Sequence, residues 1–144
     1  MKKLFALQGR RNIGKSQTIR TVDELLRAKY PDARVEHEHV LSINGVKIGV
    51  ESNDDNSRKL QASFDRFVSL GCDVIICATR TTGQTVNAVN ALPGYEVVWL
   101  EQRAQSAPFE QVLSNLAMAR HIAEETGKFI DSAKPAVLTH AAGR

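Results

Sequence analysis

Eight consecutive residues near the start of the chain, residues 9 to 16 with the sequence GRRNIGKS, have types and spacing suited to binding phosphate. They fit the pattern G-x-x-x-x-G-K-[ST], in which backbone amides surround the phosphates of a nucleoside triphosphate. Gly9 and Gly14 lack a Cβ, so the backbone can turn tightly and approach an anion. Lys15 can reach the β- and γ-phosphates, and the Ser16 hydroxyl suits Mg²⁺. The residues that we expect to contact the nucleotide are Gly9, Arg11, Asn12, Ile13, Gly14, Lys15, Ser16 and Gln17.

A strand and a helix must hold this loop in place. Residues 4–8 form a short apolar run, which is typical of a buried strand. Residues 17–30 place apolar side chains at spacings of three and four, as one face of a helix does, and Pro31 closes the segment. A helix that starts near Gly14 would add its positive dipole end and its unpaired N–H groups to the loop.

Further along the chain, strands and helices alternate. We expect helices over residues 57–70, 82–92 and 106–126, with Gly127 ending the last, and strands over residues 34–43, 46–51, 73–78 and 95–100. Asn44-Gly45 is a strong hairpin signal between the second and third strands. This order predicts an α/β fold: a three-layer αβα sandwich whose mostly parallel sheet has one antiparallel hairpin strand at an edge. We expect residues 1–131 to form one nucleotide-binding domain and residues 132–144 to be a flexible tail.

Polar loops follow several of the predicted strands at their carboxyl ends. They are residues 9–16, 51–55, 79–83 and 101–105. Ligands of parallel α/β sheets bind beyond these strand ends. The predicted topology therefore gathers the charged loops where the phosphates would lie.

The bulk composition excludes some classes of function. The chain has 144 residues, a net charge of +3 and 42% hydrophobic residues, which is ordinary for one globular domain. No stretch is long enough to span a bilayer, and the apolar run after the basic N-terminus is too short for a signal peptide, so we expect a cytoplasmic protein with no membrane partner. So mild a positive charge does not indicate nucleic-acid binding.

With these residues and this element order, the chain resembles the P-loop NTPase superfamily over about residues 1–127. The hairpin after the first helix is similar to the layout of small GTPases. However, the chain has Glu51-Ser52-Asn53-Asp54 where that family has Asp-x-x-Gly, and it contains no Asn-Lys-x-Asp segment to read guanine. The resemblance implies ATP as the ligand, with GTP not excluded, and Mg²⁺ as the metal.

The resemblance also implies an acidic residue that holds Mg²⁺ at the end of an apolar strand. Glu51 is our first choice, and Asp54 and Asp55 follow closely. With Ser16, the expected metal residues are thus Glu51 and Asp54. Each has an alternative interpretation: Glu51 is a solvated residue at a strand exit, and the two aspartates form a turn and cap the next helix.

Arginines at the same edge could act on the γ-phosphate. Arg80 leaves the central strand at its carboxyl end, where it could neutralise phosphate charge or clamp a second anionic substrate. Arg103 occupies a similar position one strand later. We expect Lys15, Glu51 and Arg80 to be the catalytic residues, with exposed solubilising arginines as the alternative for Arg80 and Arg103.

Three functions fit these observations. The first is a minimal NTPase that binds ATP and hydrolyses it with Mg²⁺. The second is a small-molecule kinase, which the short connections disfavour because they offer little room for a lid or an acceptor-binding insert. The third is a nucleotide-binding module without turnover that self-associates or works with a protein partner.

Overall fold

The computed structural model describes the backbone of residues 2–142 and the side chains of residues 2–133. Within this part of the chain it has six strands and four helices. In chain order they are β1 (Lys2–Gln8), α1 (Lys15–Lys29), β2 (Arg34–His37), β3 (Val40–Ile43), β4 (Val46–Glu51), α2 (Ser57–Ser69), β5 (Val74–Thr79), α3 (Gln84–Asn90), β6 (Tyr95–Glu101) and α4 (Pro108–Ala142).

All six strands form one mixed sheet in the order β2-β3-β4-β5-β1-β6. The strands from β4 to β6 in this order pair in parallel, whereas β3 is antiparallel to both of its neighbours. Every residue of β5 is buried, as expected for a continuous apolar run that is covered on both faces. The predicted α/β class is therefore confirmed at the level of a mixed sheet with helices.

Helices cover both faces of this sheet. On one face, α1 and α4 pack over apolar side chains of β1 and β5, among them Phe5 and Ile76. On the other face, α2 and α3 pack over side chains such as Leu4 and Ile75. Since neighbouring residues of a strand point to opposite faces, one strand supplies both cores. Because β4, β5, β1 and β6 run in parallel, their carboxyl ends lie at the same end of the sheet, where the loops meet.

The segment 34–43 differs from the prediction because it forms two strands instead of one. The chain reverses at His39, whose φ of 63° lies in the left-handed region. Residues other than glycine seldom adopt this conformation. Since position 39 is a histidine and not a glycine, the sequence contains no turn signal there. As a consequence β2, and not the antiparallel strand β3, lies at the edge of the sheet.

Helix α4 also differs from the prediction, because it continues through Gly127. A Cβ at this position would lie 3.1 Å from the hydroxyl oxygen of Tyr30. Gly127 therefore allows α1 to approach α4 closely and does not end the helix. The predicted flexibility of residues 132–144 falls largely outside the described side chains. None of the helices in the described part of the chain combines the length and apolar character needed to cross a bilayer.

Candidate phosphate-binding site

The connection from β1 to α1, residues 9 to 14, forms a tight turn that we call the glycine loop. Gly14 has a φ of 86° and Asn12 a φ of 62°, so the backbone enters the left-handed region twice. Gly9 is needed for a different reason: a Cβ there would lie 2.6 Å from the backbone oxygen of Gln102. The Gly9 N–H donates to the Thr79 oxygen at 3.2 Å, which ties the start of the loop to β5.

Helix α1 begins directly after this loop without a side-chain cap. Gly14 is the N-cap residue, and the first turn contains no acidic side chain. The first helical bond runs from Thr18 N to the Gly14 oxygen at 2.9 Å. The preceding amides at the start of the helix have no intrahelical partner and can bind an anion with the help of the helix dipole.

The Lys15 side chain folds back over the glycine loop and is 4% exposed. Its ammonium group donates to the Gly9 oxygen at 2.6 Å and to the Arg10 oxygen. It also lies 2.8 Å from Oδ2 of Asp54, which comes from the β4–α2 connection. Asp54 thus supplies the negative charge next to this lysine.

The β4–α2 connection, residues 52 to 56, brings two carboxylates to the glycine loop, and we call it the acidic loop. Arg80 pairs with both of them: its Nε lies 3.5 Å from Asp54 Oδ2, and its Nη2 donates to Asp55 Oδ1. Arg11 Nε lies 4.0 Å from Asp55. The hydrogen bond from Arg80 lowers the pKa of Asp55, and the same bond raises the pKa of Arg80.

The glycine loop, the start of α1 and the acidic loop surround an open cavity of about 410 Å³, which Arg80 itself does not line. The cations on its wall outnumber the carboxylates by three to two, which favours an anionic ligand. Arg20 is one of these cations, and it forms no ion pair with any side chain among residues 2–133. The cavity is lined by Arg11, Asn12, Gly14, Lys15, Ser16, Gln17, Arg20, Asp54 and Asp55.

The oxygen ligands of this cavity suit Mg²⁺ when phosphates are also bound. Ser16 and Asp54 both line it, and the Ser16 hydroxyl donates to the Ser52 oxygen at 3.1 Å. In the described part of the chain no three His, Cys, Asp or Glu side chains are grouped as a complete metal site. Mg²⁺ commonly takes one or two carboxylates and completes its shell with water and substrate phosphates, so this sparse donor set fits it.

Glu51, our first choice for the metal-binding acid, lies elsewhere. Its side chain is turned towards α2, where Ser63 donates to Oε1 at 2.5 Å and Asn53 N donates to Oε2 at 3.1 Å. Glu51 is 7% exposed and lines a separate cavity of about 370 Å³. The structure therefore brings Lys15, Ser16, Asp54 and Arg80 together and leaves Glu51 outside this group. Neither Arg80 nor Arg103 lines the cavity; Arg80 is joined to it through Asp54 and Asp55, whereas Arg103 is paired with Glu101 at 2.6 Å.

Two amide side chains that the sequence analysis did not single out support the glycine loop. Gln102 Nε2 and Asn115 Nδ2 donate to the Ile13 oxygen at 2.7 and 3.1 Å. Gln102 follows β6, the strand next to β1, and this position at the carboxyl edge was the one signal that pointed to it. Asn115 lies 102 residues from Ile13 on α4, and nothing in the local sequence marks it.

Comparison with known proteins gives little similarity. No protein-family model matches this chain, and no curated protein does. Among solved structures the chain is similar to the C-terminal Sua5 domain of a hypothetical Sua5 protein from Pyrococcus horikoshii, with 16% identity and a TM-score of 0.37 over 69% of this chain and 97% of that domain. Neither value supports transferring a property from that domain to this protein.

The predicted membership in the P-loop NTPase superfamily is wrong. No protein-family model, and so none of a P-loop NTPase, matches this chain. The pattern misled because it fixes just four of eight positions. Such a pattern specifies the conformation of a loop and the start of a helix, but it does not specify the family of the whole chain.

Proposed function

We propose that this protein binds a nucleoside triphosphate at the glycine loop and hydrolyses it with Mg²⁺. The observation that carries the proposal is the buried ammonium of Lys15, held at the uncapped start of α1 in a cavity with more cations than carboxylates. The carboxylate partner of this ammonium is Asp54, and a phosphate oxygen can take its place as the anion. A cytoplasmic setting, which supplies ATP and Mg²⁺, is part of the proposal.

In this proposal the phosphates replace the Asp54 carboxylate as the anionic partner of Lys15. The ammonium already donates to two loop carbonyls, so one donor remains for either Asp54 or a phosphate oxygen. Backbone amides at the start of α1 bind the remaining phosphate oxygens. ATP is kept as the proposed nucleotide, and GTP is tested beside it.

Ser16 and Asp54 are the residues that would hold Mg²⁺, and the metal would supply neutralisation of phosphate charge. Once Asp54 has left Lys15, Arg80 still holds the acidic loop through Asp55. Arg80 does not line the cavity, and its Nε lies 3.5 Å from Asp54, so in this proposal its guanidinium acts on the γ-phosphate only after Asp54 has moved away. We therefore keep Arg80 and Lys15 as the proposed catalytic residues and place the metal role on Asp54.

A second candidate is a nucleotide-binding module without turnover, working in a homo-oligomer or with a protein partner. The position of Glu51 favours it, because both carboxylate oxygens are already bonded away from the phosphate cavity. The two remaining carboxylates at the cavity are both ion-paired, so neither is a free general base.

Titration with ATP and GTP, with and without Mg²⁺, followed by an assay of phosphate release, tests the proposal. We expect ATP to bind, Mg²⁺ to strengthen binding, and phosphate to be released without any acceptor. Ser16→Ala should reduce the gain from Mg²⁺, whereas Ser132→Ala, an exposed serine of α4, should not. Tight binding without release would select the module, and release that needs an added metabolite would select a small-molecule kinase. Absence of binding to both nucleotides would refute the proposal.

A further inference from the structure

We propose that Gln102 and Asn115 are positioning residues that aim the Gly14 N–H at the phosphates. The inference rests on the proposed function, because it concerns how the same site is preorganised. Both side chains donate to the Ile13 oxygen, at 2.7 and 3.1 Å. Two donors on one loop carbonyl hold a single peptide group from outside the loop.

The side-chain amides are themselves held in one orientation. The Gln102 oxygen accepts from the Thr18 hydroxyl at 2.8 Å, which leaves its nitrogen to face Ile13. Gln102 is 3% exposed, and its backbone N–H donates to the Gln8 oxygen of β1 at 2.8 Å. The position and direction of this donor are therefore set by the core of the sheet.

Asn115 is oriented from the other side in the same way. Its oxygen accepts from Gln111 Nε2 at 2.9 Å, so its nitrogen faces the loop. Gln111 also donates to the Arg103 oxygen at 3.1 Å and accepts from the Gln105 N–H at 2.8 Å. The connection from β6 to α4 thus supports the second donor.

The direction of the Gly14 N–H follows from the planarity of the peptide group. No peptide bond in the described chain is cis, so the Ile13 carbonyl and the Gly14 N–H point in opposite directions. The carbonyl faces Gln102 and Asn115, so the Gly14 N–H points away from these two side chains, and Gly14 is part of the cavity lining. The two side-chain amides therefore hold the Gly14 N–H, a hydrogen-bond donor to phosphate, in place before any ligand arrives. This preorganisation lowers the entropy cost of binding.

The test uses inorganic tripolyphosphate with Mg²⁺ as the probe and two variants that orphan no other group. In Gln102→Met the Thr18 hydroxyl keeps the Gly14 oxygen as an acceptor, and in Asn115→Leu the Gln111 amide keeps the Arg103 oxygen. Ser114→Ala, one residue away on α4, is the matched control. Affinity is measured by calorimetry, and the ligand-induced shifts of the Gly14 and Ser16 amides are measured by NMR.

We expect each variant to bind tripolyphosphate about tenfold more weakly, the effect of one well-made hydrogen bond. The ligand-induced shift of Gly14 should shrink while that of Ser16, which α1 itself holds, is retained. Ser114→Ala should match the wild type. Affinities within twofold of the wild type and an unchanged Gly14 shift would overturn the inference and leave the proposed function intact. Equal loss of both shifts would also overturn it, because that result indicates general loosening. If the wild-type protein does not bind tripolyphosphate, the proposed function itself fails.

Discussion

The glycine loop and the acidic loop face each other across the cavity, yet different interactions hold them. The glycine loop is fixed from outside by groups that belong to the sheet and to α4, through the Thr79 oxygen and the amides of Gln102 and Asn115. The acidic loop is tied to its surroundings mainly by ion pairs of Asp54 and Asp55.

This difference separates a fixed part of the site from an exchangeable part. A phosphate does not compete for hydrogen bonds that neutral donors make to the Ile13 carbonyl, so the glycine loop keeps its shape when a phosphate binds. An ion pair between Lys15 and Asp54 can be exchanged, because a phosphate offers the lysine an equivalent or stronger partner. We therefore expect the acidic loop to move on binding and the glycine loop to stay.

The largest loss of ATP affinity should come from removing the Lys15 ammonium, which contacts both the glycine loop and the acidic loop. Lys15→Ala deletes a charged donor to the phosphates and should weaken ATP binding about 100-fold, as expected for a charge-assisted bond inside a cavity. Lys128→Ala, an exposed lysine that pairs with Glu125 on α4, is the control and should bind normally. Equilibrium titration with Mg-ATP measures both, and equal affinities of the two variants would place the phosphates elsewhere.

The second-largest loss of affinity should come from a substitution in the glycine loop. Gly14→Ala puts a Cβ at a φ of +86° and 2.3 Å from Asn115 Nδ2, so binding should fall at least tenfold and the free energy of unfolding by about 1–2 kcal/mol. Gly94→Ala is a close control, because its φ is +87° and nothing lies within 4 Å of its added Cβ. This control should lose about 1 kcal/mol of stability and no affinity. Denaturation and titration separate the two effects, and loss of binding in both variants would mean that strain alone is responsible.

A substitution in the acidic loop should have a smaller effect on affinity, and it should strengthen binding instead of weakening it. Asp54→Asn removes the carboxylate that competes for Lys15, so tripolyphosphate without metal should bind about three- to tenfold more tightly. The gain in affinity from Mg²⁺ should shrink at the same time, because a metal ligand is lost. Asp23→Asn, whose carboxylate pairs with Arg27 on α1, should change neither value. Weaker metal-free binding in Asp54→Asn would show that this carboxylate does not compete with the ligand.

The smallest effect concerns the pH dependence of the pair between Asp55 and Arg80. The hydrogen bond from Arg80 lowers the pKa of Asp55 below its ordinary value of 3.8. The stabilisation from this pair is therefore present above pH 3.8 and is lost as the pH falls through the lowered pKa. In Arg80→Ala the Asp55 pKa should rise towards 3.8, as measured by carboxyl-carbon NMR. An unchanged titration curve would mean that Arg80 does not hold the acidic loop.

The variant Arg80→Ala should also slow ATP turnover more than it weakens ATP binding.

Local signals predicted much of this fold. Asn44-Gly45 forms the expected hairpin with φ values of 50° and 82°, and the apolar run of β5 is the expected buried strand. Features set by distant neighbours were not predictable in this way. Gly127 is a packing glycine because Tyr30 lies against it, 97 residues away in the chain. The reversal at His39 has no glycine or asparagine to signal it.

The candidate site shows the same division. The motif of residues 9–16 predicted the backbone segment that lines one wall of the cavity, because the conformation of a short loop depends on nearby residues. It did not predict the orientation of Glu51, which depends on Ser63 of α2, or the donors from Gln102 and Asn115. The bond between Ser63 and Glu51 spans 12 residues, and the bonds from Gln102 and Asn115 to Ile13 span 89 and 102, so the periodicity within one element carries no information about them.

A crystal structure of the protein with Mg²⁺ and a non-hydrolysable ATP analogue would show directly where the phosphates bind. We expect the β- and γ-phosphates to lie against the amides at the start of α1. We also expect the Lys15 ammonium to contact a phosphate oxygen in place of Asp54, now 2.8 Å away, while Gln102 and Asn115 still hold the Ile13 oxygen. Phosphates bound away from this loop, with the pair of Lys15 and Asp54 intact, would contradict the proposed function.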